Sequence, residues 1–193
     1  MIYLGVGERK FYRKRERIIM NKFQKKVATF LIVFAILCAV FCILFNTVWM
    51  LSFIPSESME DTIKKGDLVL ASRIETDEKD IKRYDILIFT PLFEAETDTL
   101  IKRVVGLPGE VIKIENGKIF VDGSELDNDF IKEPQDNDGD GTYVVPEGCY
   151  FFLGDNRNNS YDSRFWDEPY IPQKNIKAKA KYIIFPSSHK KSF

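Results

Sequence analysis

"EVIKIENGKIFVDG", Glu110 to Gly123, decides how this chain is read. Apolar and polar residues alternate on both sides of Asn116-Gly117, the dipeptide that suits a two-residue type I′ hairpin turn. Period-two alternation marks strands with one buried face. The neighbouring stretches are of the same kind. "DLVLA" (67–71), "DILIF" (85–89) and "TLIKRVVG" (99–106) precede it; "TYVV" (142–145), "CYFFLGD" (149–155) and "KAKYIIF" (179–185) follow. Helical periodicity is nearly absent here and no repeat occurs. The expected fold is mostly β, an antiparallel sheet or barrel-like domain over residues 46–193, ending in a frayed tail, "PSSHKKSF".

Upstream the character changes. "VATFLIVFAILCAVFCILF", Val27 to Phe45, is 19 residues without a charge. As a helix it spans roughly 28 Å, about the thickness of a bilayer core. A cleaved signal peptide has a shorter apolar run and a small-residue cleavage site, which is missing here. A retained single membrane span is therefore expected. Trp49, just beyond it, suits an interfacial position. Residues 1–26 hold nine Lys/Arg and two acids, net +7; the rest of the chain is net −8. The basic flank predicts a cytoplasmic N-terminus with the β domain outside. An acidic body argues against nucleic acid as a partner. Met20 is followed by its own basic flank and span, so residues 1–19 read as an upstream extension or a misassigned start. Cys149 is the only cysteine beyond the span, so that part holds no internal disulfide; it reads as a small apolar strand residue.

Two features invite a chemical reading. "DNDGDGTYVVPE" (136–147) fits the calcium-loop pattern, with Asp136, Asp138, Asp140 and Glu147 in ligand positions. Its flanks are strands and Pro146 rather than helices, which favours a solvated acidic turn and no metal. The other feature is "IPSESMEDTIKKGD" (54–67), where Ser56 and Ser58 follow directly on the apolar run. A serine nucleophile needs a base, and the single histidine, His189, sits in the tail. A lysine serves if burial keeps it neutral. Lys102 is the candidate: strand alternation places it with Leu100 and Val104, with Ile101 on the opposite face. An edge-strand lysine reaching solvent is the alternative. "GDNRNNSYDSR" (154–164), beside "YFFL", reads as a partly buried polar network.

Together these stretches resemble the bacterial type I signal peptidases, membrane-anchored Ser-Lys endopeptidases. The family boxes P-S-x-S-M-x-P-T-L-x-x-G-D, I-K-R-V-x-G-x-P-G-D/E and G-D-N-R-x-N-S-x-D-S-R appear in order as "PSESMEDTIKKGD", "IKRVVGLPGE" and "GDNRNNSYDSR". The likeness runs from about residue 25 to 186 and suits the compact Gram-positive type. It implies Ser58 as nucleophile, Lys102 as general base and Ser160 as the hydroxyl that orients it. The Ser58 N–H and the Ser56 hydroxyl would form the oxyanion hole. Ile54 and Ile101 would narrow the substrate pockets. Arg103, Asp155, Arg157, Asp162 and Arg164 would be structural support. Expected substrates are secretory precursors cut after small residues at −1 and −3, with membrane lipid as the other partner and no cofactor. Leu51, Phe53, Leu92 and Phe93 are candidates for contact with headgroups. Two positions depart from the pattern: Asp61 replaces the usual proline, and Glu57 the usual small residue. A self-cleaving SOS-repressor-type Ser-Lys autopeptidase shares the chemistry, but is soluble and lacks the span. An inactive anchored homologue is the remaining alternative.

Overall fold

The computed structural model describes residues 6–73, 75–92, 99–127, 131, 133, 135–136 and 138–193, with the backbone alone for 6–19 and Glu78. Two units divide between Thr47 and Val48. The first is one helix, α1 (Val6–Val48). Within its segment Met20–Val48 an 18-residue stretch has a mean hydropathy of 3.1, and none of that stretch is buried. Three polar side chains are satisfied along the helix: Thr29, Asn46 and Thr47 each donate to a carbonyl one turn back. That is how hydroxyl and amide groups tolerate an apolar surrounding.

Trp49 opens a strand rather than ending the helix. The second unit holds twelve strands among the described residues: β1 (Trp49–Phe53), β2 (Leu68–Ser72), β3 (Ile86–Phe89), β4 (Leu100–Gly106), β5 (Val111–Glu115), β6 (Lys118–Val121), β7 (Ser124–Glu125), β8 (Gly141–Val144), β9 (Cys149–Leu153), β10 (Tyr170–Pro172), β11 (Ile176–Phe185) and β12 (Lys191–Ser192). The large sheet has the order β1-β2-β11-β3-β4-β9-β10, with β12 added to β11; the small sheet is β7-β6-β5-β8. Every pairing is antiparallel. Asn116 and Gly117 adopt φ of 53° and 72°, the left-handed pair a type I′ turn requires, and Glu115 faces Lys118 across it.

Three apolar clusters hold the sheets together. Ile54, Met59, Ile63, Val69, Ile86 and Ile101 belong to the first. Leu87, Phe89, Val104, Tyr150, Phe152 and Trp166 belong to the second. Val105, Ile112, Ile114, Ile119 and Phe151 form much of the third, which backs the small sheet. The chain passes between sheets at Gly106, where a Cβ would lie 2.9 Å from Ile112, Val145 and Phe151. Only glycine allows that approach.

One sequence expectation needs correction. The tail is not frayed: Ser187–His189 form a 3-10 turn, and β12 pairs with β11. His189 Nδ1 lies 2.9 Å from Asp67 Oδ1, whose carboxylate is fully buried by the fold. In the acidic loop Asp136, Asp138, Asp140 and Glu147 are all exposed, as a solvated turn requires. Asp140 accepts the Asn116 amide at 2.8 Å, Gln135 is buried, and the Arg164 side chain lies against Gly139.

Candidate active site

Residues 54–67 form a loop stapled at its base. Ile54 N–H donates to the Asp67 carbonyl and Gly66 N–H to the Ile54 carbonyl. The buried Asp67 carboxylate also accepts the Lys64 amide at 2.9 Å. Inside the loop a tight turn begins at Ser58, with Thr62 and Ile63 N–H both donating to the Met59 carbonyl. The backbone is therefore not extended through both serines. Their hydroxyl oxygens nonetheless lie 3.4 Å apart. Met59 and Ile63 anchor the turn in the first cluster, so Ser58 sits on a fixed base at the surface of the core.

Lys102 stands in the middle of β4, opposite Leu87 of β3. Only 3% of its surface is exposed. The edge-strand alternative fails because β4 is flanked by β3 and β9. Burial lowers the Lys102 ammonium from 10.5 to about 8; Asp162 and Asp155 push it up, and Arg164 pushes it down. Desolvation is the largest of these effects and penalises the charged form by more than the two carboxylates stabilise it. Nζ donates to Ser160 Oγ at 3.0 Å.

Residues 154–164 carry Ser160 on a loop made rigid by buried ion pairs. Arg103 grips Asp155 with two donors, Nε to Oδ1 at 2.7 Å and NH2 to Oδ2, while its NH1 reaches the Tyr84 carbonyl. Arg164 grips Asp162 in the same way, at 2.8 and 2.9 Å. Asp162 also accepts the Gly154 amide, and Arg164 NH2 holds the Arg157 carbonyl. Arg157 donates to the Gly154 carbonyl, and burial lowers its guanidinium to about 10. Bidentate pairs fix orientation as well as charge, which a loop without regular structure needs.

The structure thus gathers Ser56, Ser58 and Lys102 around one groove of about 550 Å³, whose other walls are Pro55, Glu57, Lys65, Leu100, Asn159 and Tyr161. Ser160 bonds to Lys102 from within. Ile54 and Ile101 are 1% and 8% exposed, pack in the first cluster and line no wall of the groove. Leu100 faces the groove instead, as alternation with Lys102 requires. Glu57 pairs with Lys65 at 3.6 Å on the rim. His189 is tied to Asp67 and lines no wall of the groove.

Two site residues escaped the sequence reading. Gly154 has no room for a Cβ, which would fall 2.5 Å from the Ser58 carbonyl and collide with Ser160. Asn156 donates its backbone N–H to the Ser58 carbonyl and its side-chain amide to the Glu57 carbonyl, each at 3.1 Å. Both contacts join segments about a hundred residues apart, and no local pattern announces them.

Comparison with known proteins identifies the family. Residues 25–185 match the family model "Signal peptidase, peptidase S26". The signal peptidase I of Leptolyngbya laminosa is 36% identical over 140 residues, covering 69% of this chain and 68% of that protein. The probable signal peptidase I-2 of Synechocystis is 35% identical, covering 69% and 62%. Signal peptidase I V of Bacillus subtilis is 36% identical, covering 62% and 76%. The match therefore spans about two thirds of the length of these cyanobacterial relatives. A crystal structure of a signal peptidase I from Enterococcus faecalis aligns over 51% of this chain and 95% of its own, at 28% identity and a TM-score of 0.44.

Proposed function

Because this chain belongs to the signal peptidase family, peptidase S26, we propose that it removes signal peptides from secreted precursors, with Ser58 as nucleophile and Lys102 as general base. The observation that carries this reading is a lysine 3% exposed, lowered to about 8 by burial, on the same groove as Ser58. Neutral Lys102 takes the proton as Ser58 Oγ attacks the scissile carbonyl. The Ser58 N–H and the Ser56 hydroxyl receive the developing oxyanion. The ammonium then protonates the leaving amine, and neutral again, Lys102 activates the water that frees the acyl-enzyme. Ser160 holds the Nζ atom in line throughout. Arg103, Asp155, Arg157, Asp162 and Arg164 keep the Ser160 loop in register.

Small residues are selected at −1 and −3 because Ile54 and Ile101, next in the chain to the wall residues Pro55, Leu100 and Lys102, resist expansion by their branched aliphatic packing. Residues 1–26 stay in the cytoplasm, the span crosses at 27–45, and residues 46–193 work outside, where a signal peptide's cleavage site emerges. An apolar sheet face supports contact with lipid. Leu51, Leu70 and Tyr182 form one rung across β1, β2 and β11, and Phe53, Leu68 and Phe185 the next. Phe53 and Phe185 are 65% and 63% exposed, and Leu92 is also exposed. Phe93 lies outside the described residues. The test is cleavage of a precursor peptide by the detergent-solubilised chain. Ser58→Ala and Lys102→Ala each abolish it while the fold is kept; a Lys102→Ala protein of near-wild-type activity overturns the assignment.

A further inference from the structure

We infer that Asn156 is a positioning residue for the oxyanion hole, acting through the Glu57–Ser58 peptide. This rests on the reading of Ser58 as nucleophile and of its N–H as an oxyanion donor. A trans peptide is planar, so its C=O and N–H point in opposite directions. Whatever fixes the Glu57 carbonyl therefore fixes the direction of the Ser58 N–H. Two donors hold that carbonyl: the Glu60 N–H within the turn and Asn156 Nδ2 from the Ser160 loop, both at 3.1 Å. A carbonyl oxygen cannot donate, so the nitrogen of the Asn156 amide must face it.

The same residue fixes the next peptide as well. Asn156 N–H donates to the Ser58 carbonyl at 3.1 Å. Ser58 is thus pinned on both sides by one residue, and its φ and ψ are set from the Ser160 loop. The Asn156 side chain makes no capping bond to the 3-10 turn it precedes. Asparagine at a helix start ordinarily turns inward to cap. Here it turns outward to the nucleophile segment. Gly154, packed against the Ser58 carbonyl, leaves the loop close enough for this reach. Donation to the C=O also polarises the peptide and strengthens its N–H as a donor. Asn156 touches neither Lys102 nor Ser160 in any of these bonds, so its effect is on the oxyanion and not on the base.

The experiment compares wild type, Asn156→Ala, Asn156→Asp and Ser58→Ala as full-length chain in detergent. Its readouts are kcat and KM on a precursor peptide, and affinity for a peptide aldehyde ending in alaninal, which adds to Ser58 as a tetrahedral adduct. The cleaved product peptide, which forms no adduct, is the ground-state control. Asn156→Ala lowers kcat by about tenfold to about a hundredfold. KM and product affinity stay within about twofold, aldehyde affinity falls in step with kcat, and the rise of activity toward pH 8 does not move. Asn156→Asp keeps the size and loses the donor, so it loses at least as much and carries the test if the alanine variant does not fold. An unchanged kcat, a parallel loss of KM, product affinity and melting temperature, or a shifted pH profile overturns the inference. Should Ser58→Ala still cleave, the underlying reading falls; should it be inert while Asn156→Ala and Asn156→Asp work normally, only the role of Asn156 falls.

Discussion

Replacing Lys102 by methionine keeps the unbranched apolar stem and removes the charge. Without its base the resulting enzyme is inactive and, at neutral pH, more stable. Lys102 titrates at about 8 in the fold against 10.5 when free. Below about pH 8 both folded and unfolded chains hold the proton, and burying the ammonium costs about 3 kcal/mol, at about 1.4 kcal/mol per pH unit. Between about pH 8 and 10.5 only the unfolded chain holds it, so wild-type stability rises with pH across that window. The lost bond from Nζ to Ser160 Oγ offsets about 1 kcal/mol. Lys102→Met should therefore exceed wild type by about 2 kcal/mol at pH 7. The difference should vanish and reverse by about 1 kcal/mol near pH 10.5. Urea unfolding of both proteins at the two pH values reads this directly. A methionine variant less stable at pH 7, or a difference independent of pH, refutes the burial argument.

Three further outcomes follow from the packing. Gly154→Ala drives a methyl group into the Ser58 carbonyl and Ser160; kcat should fall by about a hundredfold or more, and near-wild-type kinetics would show that the loop can yield. Ile101→Ala should relax the preference for small residues at −1 or −3, read as relative kcat/KM on peptides with Ala, Val or Leu there. Because Ile101 is core, the same change should cost about 2–4 kcal/mol in unfolding, and unchanged selectivity would make it core alone. Excess EDTA should leave activity and melting temperature as they are, since Asp140 already serves the hairpin turn; a loss restored by calcium alone would revive the calcium reading of residues 136–147.

How much could be read from sequence depended on how local each cause is. The β5–β6 hairpin was legible because Asn116-Gly117 needs no distant partner. Asp122-Gly123 carries the same signal, with φ of 49° and 82°, and turns the chain into β7, a strand of two residues too short to announce itself. β1 went unseen because Trp49–Phe53 continues the apolar run of the helix, and an apolar run has no period that separates strand from span. The tail looked frayed because its anchor, Asp67, lies 122 residues away. At the site, the shortage of histidine and the apolar setting of Lys102 pointed to the base without any structure. The pockets were less legible. Alternation alone pairs Leu100 with Lys102, whereas the family resemblance pointed to Ile101, which the fold buries. Asn156 stood among three asparagines of one loop, and only tertiary structure shows which one crosses to the nucleophile.

The central claim is that a neutral, buried Lys102 is the base for Ser58, and the pH dependence of kcat/KM tests it most directly. Cleavage of a precursor peptide should climb about tenfold per pH unit from pH 6 and level off above about 8, where Lys102 loses its proton. At pH 7 the value should be about a tenth of the plateau. His189→Ala should leave this curve unchanged. A profile flat from pH 6 upward would contradict the account. So would a pH dependence that disappears in His189→Ala, because the base would then be that histidine.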